Sequence, residues 1–304
     1  MTRVFIDGAA GTTGLEIEAR LTDRPEFELL ILDEAHRKDV AARRAALNEA
    51  DIAILCLPDD AAREAVALID SDRTRVIDAS SAYRVADGWT YGFPELGFDV
   101  ASAVRVSNPG CYPTGFLALI APLVRAGLIP ADWPLTVNAV SGYSGGGKAL
   151  IQRLADEPML AHRAYGLDLA HKHLPEMQVH AGLTHAPIFS PSVTRAFRGM
   201  IVDVPLPLAA LPARPTRAAL LAALGSAFAG SAVVTVHQDQ PGELLLHENA
   251  PSWDGLDLYV FANADETHAR LVALLDNLGK GASGAAVQNL NLMCGLPATA
   301  GLNL

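Results

Sequence analysis

Cysteine is scarce in this 304-residue sequence, and its spacing excludes two classes of protein. The three cysteines, Cys56, Cys111 and Cys294, are odd in number, lie far apart and form no CxxC pair. This pattern argues against a disulfide framework and against a zinc ribbon. Free thiols are typical of a reducing compartment, so we expect a cytoplasmic protein.

Long apolar runs and clusters of basic residues are also missing. No apolar run reaches the roughly 18 residues that a membrane-spanning helix needs, although 50% of the residues are hydrophobic. The net charge is -11 and the lysines and arginines are scattered, which is not the charge pattern of a nucleic-acid-binding protein. We therefore expect no membrane span and no nucleic-acid partner, and enough apolar residues for two domain cores.

A glycine-rich segment lies near the start of the chain. Residues 2–7 read as a strand and residues 15–21 have helical periodicity, with Gly8, Gly11 and Gly14 between them in a GxxGxxG pattern. Such a turn lets backbone N–H groups approach a pyrophosphate, so we expect a dinucleotide there, although the turn could merely join two elements. The cofactor-binding residues predicted in this segment are Gly8, Ala10, Gly11, Thr12, Thr13 and Gly14.

The residues after the second predicted strand, 27–32, bear on which dinucleotide binds. About 20 residues past the glycine segment is where such a fold selects the ribose. Asp33 would favour the free 2′-hydroxyl of NADH, whereas Arg37 and Lys38 suit the 2′-phosphate of NADPH. We expect NADPH/NADP, and a solvated helix start is the alternative explanation of the two cations.

Strands alternate with helical stretches through the first part of the chain. The predicted strands are residues 2–7, 27–32, 51–57, 75–78 and 104–106. This alternation predicts an α/β fold with a Rossmann-like, doubly wound parallel sheet. Ligands bind beyond the carboxyl ends of such strands, so we expect Pro58, Ser80 and Ser81 to contact the cofactor, unless the two serines only cap a turn.

One cysteine lies in the turn between the last of these strands and a predicted helix, whose apolar stretch is residues 116–128 and whose first turn suits Pro113 and Thr114. Residues 109–110, a Pro-Gly pair, bend the chain immediately before Cys111. A thiol at a helix N-terminus has a lowered pKa and lies near free N–H groups that can hold an oxyanion. Cys111 is therefore predicted as a nucleophile, whereas Cys56 and Cys294, in apolar surroundings, read as packing residues.

Further strands beyond residue 135 predict a mixed sheet in an α+β second domain. They are residues 136–140, 188–195, 200–204, 232–236 and 256–262, with an alanine-rich helix over 217–228. Residues 141–148 read as a glycine-rich loop, either an anion nest beside Lys148 or a flexible loop with a surface lysine. Arg195 and Arg198 are candidates to bind a substrate carboxylate.

Two histidines, His171 and His173, precede a proline and a predicted helix, in a loop of the kind where functional residues concentrate. A histidine can carry protons to and from a substrate oxygen, as a cysteine acyl-transfer site requires. Metal binding is a rival interpretation because His180 and His185 follow. No HExxH helix or cysteine pair accompanies them, so we expect no metal, and a surface histidine pair is the remaining alternative.

The chain ends with a helical stretch rich in small residues and amides, residues 277–292. Amides are costly to bury without partners, so we expect this helix to return to the first domain, with Asn289 near the nicotinamide. The predicted domains are an NADP-binding, Rossmann-like domain over 1–110, completed by a C-terminal helix at about 280–304, and a catalytic, substrate and oligomerisation domain over 111–279.

Five motifs occur together in this chain. They are GAAGTTG (8–14), SNPGCYPTG (107–115), VSGYSGGGK (140–148), HKHLPEM (171–177) and GKGASGAAVQNLNLM (279–293). With them the chain resembles, nearly from end to end, the N-acetyl-gamma-glutamyl-phosphate reductases of the shorter type, within the semialdehyde dehydrogenase superfamily. It departs from their pattern at Gly115, where alanine is more usual, and at Ser192-Val193, which replace a His-Leu pair.

The resemblance implies an oligomeric enzyme, a dimer or tetramer, of arginine biosynthesis. Such an enzyme reduces N-acetyl-gamma-glutamyl phosphate to N-acetylglutamate semialdehyde and phosphate with NADPH. It implies Cys111 as the nucleophile that forms a thioester and His173 or His171 as acid/base, His173 being preferred because it is nearer the helix. The residues expected to hold the small acyl-phosphate substrate are Asn108, Ser141, Tyr143, Ser144, Gly145, Lys148 and Glu176.

Two alternatives are compatible with the same motifs. The nearer one is an aspartate-semialdehyde dehydrogenase or another acyl-phosphate reductase of the superfamily. The more distant one is a non-catalytic, NADPH-binding regulator that kept the fold.

Overall fold

The computed structural model describes residues 1–304 and divides the chain into two compact units. The first unit contains residues 1–110 and 282–302, and the second contains residues 111–281 and 303–304. None of the helices combines the length and apolar character that crossing a membrane requires. No three histidine, cysteine, aspartate or glutamate side chains are grouped so that they could hold a metal ion.

Thirteen strands and eight α-helices make up the two units. The strands are β1 (Thr2–Asp7), β2 (Phe27–Leu30), β3 (Ile52–Leu55), β4 (Arg75–Asp78), β5 (Thr90–Tyr91), β6 (Arg105–Ser107), β7 (Thr136–Gly142), β8 (His162–Ala164), β9 (Ile188–Thr194), β10 (Met200–Leu206), β11 (Val234–Val236), β12 (Leu256–Ala262) and β13 (Ala269–Leu275). The helices are α1 (Thr12–Leu21), α2 (Val40–Glu49), α3 (Asp59–Ala67), α4 (Cys111–Arg125), α5 (Gly147–Asp156), α6 (Leu174–Ala181), α7 (Arg217–Ala227) and α8 (Gly284–Met293).

The first unit is built on a six-stranded sheet whose neighbouring strands are all parallel. The strand order is β2-β1-β3-β4-β6-β5. The second strand is therefore added on one side of β1, and the later strands are added on the other side. This is the doubly wound α/β fold, and the fold class predicted from the alternation of strands and helices is confirmed.

Alternating side chains along β1 explain why helices cover both faces of this sheet. Val4 packs with Ile17 of α1 and Leu290 of α8 on one face, whereas Phe5 packs with Leu47 of α2 on the other. Successive side chains of a strand point to opposite faces, so a strand buried on both faces needs an unbroken apolar run. The C-terminal helix α8 is thus part of the core of the first unit.

The second unit contains a seven-stranded mixed sheet in the order β11-β12-β13-β10-β7-β9-β8. The sequence did not predict β13, because the apolar run of residues 269–275 is also typical of a buried helix. β13 is a strand because it pairs antiparallel with both β10 and β12 along its whole length. The short strands β5 and β8 were not predicted either, since an alternation of apolar and polar residues cannot be recognised over two or three residues.

The glycine-rich stretch 141–148 was expected to be a loop, and that expectation is wrong. β7 continues to Gly142, a 3-10 turn spans Tyr143–Gly146, and α5 begins at Gly147. A Cβ on Gly142 would lie 2.7 Å from the carbonyl oxygen of Phe197, so glycine allows two backbone segments to pass closely. The glycines here permit close packing instead of giving the chain a loop.

Helix α4 begins at Cys111, so its first turn includes Pro113 and Thr114 as predicted, and the helix packs tightly against the sheet of its unit. A Cβ added at Gly115 would lie 2.8 Å from Cγ2 of Val202 and 3.2 Å from Cβ of Ala273. Carbon atoms in contact are ordinarily about 3.5–4.0 Å apart. The packing against Val202 therefore explains why glycine stands where alanine is more usual.

We predict that Gly115→Ala destabilises the protein by about 1–3 kcal/mol, because the added methyl group overpacks the contact with Val202. Val202→Ala in the same chain should recover part of that loss, since it removes the clashing methyl group. Chemical denaturation measures both effects. Gly225→Ala in α7 is the matched control, because no atom lies within 4 Å of its added Cβ. Equal losses from Gly115→Ala with and without Val202→Ala would contradict this account.

Candidate active site

The carboxyl ends of four parallel strands are aligned in the first unit. Asp7, Leu55, Asp78 and Ser107 pair in one row across β1, β3, β4 and β6. The residue that follows each of them therefore leaves the sheet at the same edge. This is the edge at which ligands bind in doubly wound folds.

The glycine segment at this edge is shaped by close backbone contacts. Gly8 has φ +90°, and a Cβ there would lie 2.3 Å from the carbonyl oxygen of Cys56. A Cβ on Gly14 would lie 2.6 Å from the oxygen of Gly8. Gly11 precedes α1 and supplies no side-chain cap, so the first N–H groups of the helix are not capped by a side chain. The bare turn and the helix start fit a pyrophosphate.

A cleft of about 470 Å³ opens beside this turn, entirely within the first unit. Its apolar walls include Leu15 of α1, Leu30 of β2 and Leu57 after β3. A cleft with apolar walls and a few polar groups at one end is the usual form of a cofactor site. Its volume is suitable for a nucleoside-sized group.

The polar end of the cleft is lined by Glu34, Arg37 and Lys38. Arg37 bonds to the Glu34 carboxylate through Nη2, while its Nε is buried without a hydrogen-bond partner. A buried donor of a cation that lacks a partner is costly unless a ligand oxygen satisfies it. These residues fit the 2′-phosphate of the dinucleotide predicted from the sequence. Asp33 does not line the cleft and accepts hydrogen bonds from His36 instead.

A buried ion pair supports the start of the glycine turn. Arg43 of α2 donates to the Asp7 carboxylate from Nε at 3.1 Å and from Nη2 at 2.8 Å. Both side chains are buried, and Arg43 also lines the cleft. No local pattern predicts this pair, because the partners are 36 residues apart.

Ser80 and Ser81 lie at the same edge, and both hydroxyl groups are used inside the protein. Ser80 Oγ donates to the Asp78 carboxylate at 2.7 Å, and Ser81 Oγ donates to Asp59 at the start of α3. Burial raises the pKa of the Asp78 carboxyl to about 6, although hydrogen bonds from Ser80 act against it. The backbone N–H groups of both serines also donate to these carboxylates, so both serines stabilise turns at this edge, and their contact with the cofactor stays a prediction.

Asn108 is the first residue after β6, and its polar groups are all bonded within the first unit. Its N–H donates to the Asp78 carbonyl (2.7 Å), its carbonyl accepts from Arg84 (3.0 Å), and its Nδ2 donates to the Ala282 carbonyl (3.0 Å). Its Oδ1 accepts from Asn289 Nδ2 at 3.0 Å. Only 1% of Asn108 is exposed, so its side chain holds this part of the first unit together, and its contact with substrate stays a prediction.

Asn289 of α8 also bonds the Gly92 carbonyl through Nδ2, at 3.1 Å. Its own Oδ1 is buried without a partner. A buried amide oxygen with no donor is an acceptor available to a ligand. This arrangement fits the carboxamide of the cofactor predicted to lie near this residue.

Cys111 is the first residue of α4 and is half-buried, while every residue from Tyr112 to Leu123 is buried. The positive end of the helix dipole stabilises negative charge at this position. Cys56, by contrast, has its pKa raised to about 12 by burial, with Asp78 and Asp7 adding to the effect. Burial also raises the pKa of Cys294. Cys111 is therefore the cysteine best placed for chemistry.

Tyr112, the residue after Cys111, contacts the rings of both histidines within the second unit. Its ring lies 6.1 Å from the ring of His171 and 5.9 Å from that of His173. Its hydroxyl donates to the Ser192 carbonyl at 3.0 Å and accepts from the hydroxyl of Tyr165 at 3.2 Å. The two histidines predicted from the sequence are thus brought to the start of α4.

Burial raises the pKa of Tyr112 well above its usual range and that of Tyr165 to about 12. A negative charge on Cys111 raises both pKa values further, which reflects how close the two phenols are to the sulfur. Both phenols therefore stay protonated at neutral pH. Neither tyrosine was predicted as a site residue from the sequence, although the position of Tyr112 directly after the cysteine could have indicated it.

The two histidines differ in exposure and in hydrogen bonding. His173 is 6% exposed, whereas His171 is half-buried among aromatic rings, 5.0 Å from Phe189 and 5.6 Å from Tyr165. The backbone N–H of His173 donates to Nδ1 of His171 at 3.2 Å. In the neutral ring Nδ1 is then the acceptor, so Nε2 of His171 carries the proton.

The predicted substrate residues of stretch 141–148 divide into buried and exposed positions. Ser141 Oγ donates to the Gly142 carbonyl, and Ser144 Oγ accepts from Asn277 at 2.9 Å. Gly145 and Lys148 are exposed at the start of α5, and the Tyr143 ring stacks edge-on against Phe197. Glu176, in the first turn of α6, is 1% exposed. Gly145 and Lys148 are thus exposed to solvent, Tyr143 is half-buried, and the other three are buried.

Arg195 and Arg198, the candidates to bind a substrate carboxylate, both have partners within the protein. Arg195 donates to the carbonyls of Leu154, Glu157 and Leu160 and so caps the end of α5. Arg198 is 9% exposed and pairs with the carboxylate of Asp276 at 3.1 Å. Both arginines are structural because carbonyls and carboxylates distant in sequence converge on them.

Two family models match this chain. One is described as the semialdehyde dehydrogenase, NAD binding domain, and matches residues 3–104. The other is described as the semialdehyde dehydrogenase, dimerisation domain, and matches residues 111–277. Together they cover most of the sequence.

Several curated proteins are similar over nearly their whole length. N-acetyl-gamma-glutamyl-phosphate reductase 2 of Pseudomonas putida is 51% identical, with 96% of each chain covered. N-acetyl-gamma-glutamyl-phosphate reductase of Trichormus variabilis is 48% identical, with 99% of each chain covered. The reductase of the same name from Rhizobium etli is 51% identical over 96% of this chain and 98% of its own.

Solved structures with the same fold are more distant in sequence. Aspartate semialdehyde dehydrogenase from Francisella tularensis has a TM-score of 0.72 at 14% identity, covering 97% of this chain and 100% of its own. Aspartate semialdehyde dehydrogenase II from Vibrio cholerae has a TM-score of 0.70 at 17% identity, covering 97% of this chain and 98% of its own. At these identities the likeness concerns the fold alone.

Proposed function

Because this chain belongs to the N-acetyl-gamma-glutamyl-phosphate reductases of the semialdehyde dehydrogenase family, we propose that it reduces N-acetyl-gamma-glutamyl phosphate with NADPH. The products are N-acetylglutamate semialdehyde and phosphate, and the reaction serves arginine biosynthesis in the cytoplasm. The observation that carries this proposal is the identity of about half of all residues with these reductases over nearly the full length. Cys111 at the start of α4, next in the chain to Tyr112, whose ring contacts both histidines, supports it independently.

The first unit provides the residues that would hold NADPH. The backbone of the segment Gly8 to Gly14 faces the pyrophosphate, Arg37 and Lys38 face the 2′-phosphate, and Asn289 accepts a hydrogen bond from the carboxamide. The buried, partnerless Nε of Arg37 and Oδ1 of Asn289 support these roles. Pro58, Ser80 and Ser81 contribute backbone atoms at the same sheet edge. When bound, NADPH supplies the hydride that reduces the thioester carbon.

Cys111 acts as the nucleophile in this proposal. Its thiolate attacks the acyl carbon, the C–S bond forms, and the bond to the phosphate oxygen breaks, so that phosphate leaves with the electron pair. The N–H groups in the first turn of α4 hold the negative charge that develops on the acyl oxygen. After reduction the C–S bond breaks, the aldehyde carbonyl forms and the thiolate is restored.

We assign the acid/base role to His171 and not to His173, which the sequence had favoured. His171 is the less buried of the two, and its Nε2–H is fixed as a donor by the bond from the His173 backbone to Nδ1. This N–H donates a hydrogen bond to the substrate oxygen and stabilises the alkoxide that follows reduction, and the proton stays on Nε2 while the alkoxide expels the thiolate and the carbonyl re-forms. His173 is then a positioning residue.

The acyl-phosphate substrate is a small anion, so basic or dipolar groups must attract it to a chain of net charge -11. Lys148 and the free N–H groups at the start of α5 are the proposed phosphate ligands, together with Gly145. Both residues are exposed, which supports this role. Tyr143 completes the proposed site, and the buried Ser141, Ser144 and Glu176 support it from behind.

The proposed function is tested by following NADPH oxidation with N-acetylglutamyl phosphate and, separately, with aspartyl phosphate. We expect turnover only with the first substrate. Cys111→Ser should reduce turnover by about three orders of magnitude or more while leaving NADP binding intact. Cys294→Ser is the matched control and should keep activity.

Three outcomes would contradict the proposal. Turnover with aspartyl phosphate alone would replace the substrate assignment by the aspartate-semialdehyde alternative. Unchanged turnover in Cys111→Ser would exclude the covalent mechanism. NADP binding without any turnover would favour a non-catalytic regulator.

Arg37→Ala should weaken NADP binding by about 10- to 100-fold, because it removes a charge-assisted hydrogen bond to the 2′-phosphate. NAD binding should change little, since NAD lacks this phosphate. Calorimetry with each dinucleotide measures the two affinities. Arg44→Ala is the control, because Arg44 is an exposed α2 residue outside the cleft. Equal losses for both dinucleotides would show that Arg37 does not select NADP.

We further propose that the protein is a homo-oligomer, a dimer or a tetramer. The family model over residues 111–277, described as a dimerisation domain, supports this. Three of the most exposed apolar side chains flank β8, Met159 (91%), Leu167 (82%) and Leu169 (60%). An exposed apolar segment is typical of a surface that another chain covers.

Sedimentation velocity should therefore give a mass of two or four copies of the 32.0 kDa chain. Leu167→Asp should shift the mass toward the monomer, because a charge in an apolar interface is costly. Leu245→Asp, at an exposed apolar position in another part of the chain, should not. A monomeric wild-type protein would refute this proposal. Equal effects of the two variants would show that the segment around β8 is not part of the interface.

A further inference from the structure

The segment that follows β13 passes directly against the nucleophile within the second unit. Gly279–Ser283 forms a π-helical turn, and the N–H of Gly281 donates to the carbonyl of Asp276, five residues earlier, at 3.0 Å. A Cβ built on Gly281 would lie 2.8 Å from Cβ of Cys111 and 3.3 Å from its Cα. Single π-turns are rare in proteins, and those that do occur are often found at functional sites.

The contact with Cys111, and not the backbone conformation, requires glycine at position 281. Gly281 is not among the glycines with positive φ, so an L-residue could adopt its backbone angles. Two carbon atoms in contact are ordinarily about 3.5–4.0 Å apart, so an alanine methyl group would overlap the cysteine side chain.

Neither side of this contact has room to yield. On one side, α4 is buried from Tyr112 to Leu123, which prevents the helix from shifting. On the other side, the Asp276 carboxylate is held by Arg198 at 3.1 Å and by the N–H of Trp253 at 3.3 Å.

A further close approach holds the π-turn from behind. A Cβ on Gly279 would lie 1.8 Å from the carbonyl oxygen of Trp253, so the chain there already touches its neighbour. The turn cannot move away from α4 without breaking this packing. A side chain at position 281 would therefore strain the backbone at the start of α4 and so change where the sulfur of Cys111 lies.

We propose that Gly281 is a positioning residue for the nucleophile: its bare α-carbon lets the π-turn backbone lie against Cβ of Cys111 and so fixes where the sulfur is presented. The importance of this placement for catalysis rests on the proposed function. Displacing a reacting atom by about 1 Å can lower a rate by about 100-fold. Gly281 acts only through Cys111 and touches no reacting atom itself.

The first test compares the wild type with Gly281→Ala and Gly281→Val. Alkylation of Cys111 by iodoacetamide, followed by peptide mass spectrometry, reports the presentation of the thiol without requiring turnover. We expect Gly281→Ala to slow alkylation and to lower kcat by about 100-fold. The Kd for NADP should not change, and Gly281→Val should be more severe in both rates. Gly225→Ala, the same chemical change where no atom lies within 4 Å, should match the wild type in all three measurements.

These readouts separate the inference from the proposed function. If the wild type shows no turnover but Gly281→Ala still slows alkylation of Cys111, the proposed function fails and the positioning role stands. If the wild type turns over and Gly281→Ala has wild-type alkylation and kcat, the positioning role is overturned.

A second test applies if the Gly281→Ala variant folds poorly. Cys111→Gly removes the Cβ that the new methyl group would meet. We therefore expect the loss of melting temperature caused by Gly281→Ala to be smaller in the Cys111→Gly background than in the wild-type background. Recovery of folding in the double variant supports the proposal, and equal losses in both backgrounds overturn it.

Discussion

The burial of α4 is the constraint on which the catalytic part of the structure depends. Every side chain from Tyr112 to Leu123 is buried, and each large apolar one contributes about 1.5–3 kcal/mol relative to an exposed position. The helix therefore cannot slide or rotate without large loss, and its first residue, Cys111, inherits that rigidity. In the proposed mechanism the Cys111 nucleophile gains from this arrangement, because the helix dipole keeps one fixed relation to the sulfur.

The parallel sheet of the first unit imposes a second constraint. Because Asp7, Leu55, Asp78 and Ser107 are in register, the chain segments that follow them emerge at one edge. The glycine turn and Asn108 are two of these segments, and both are held by bonds to neighbours distant in sequence. Side-chain bonds such as those of Arg43 to Asp7 and of Ser80 to Asp78 hold the turns at this edge in place.

The cleft at this edge is lined by cationic side chains, although the net charge of the chain is negative. The net charge is -11, yet Arg37, Lys38 and Arg43 line the cleft. Arg43 is neutralised by Asp7 in a buried pair, and removing one partner of such a pair typically costs about 3–5 kcal/mol. Arg37 differs because its Nε has no partner in the protein, so part of its bonding capacity is left for an anionic ligand.

The sequence by itself determined the doubly wound fold, the glycine turn and the cysteine at a helix start, because each depends on neighbouring residues and on short periodic patterns. Only the tertiary structure decided that 269–275 is a strand, that Asn108 is bonded on every side, and that the bare Gly281 lies against Cys111. Each of these depends on partners far away along the chain. Local pattern carries no information about such partners, and packing selects them only when the whole core has formed.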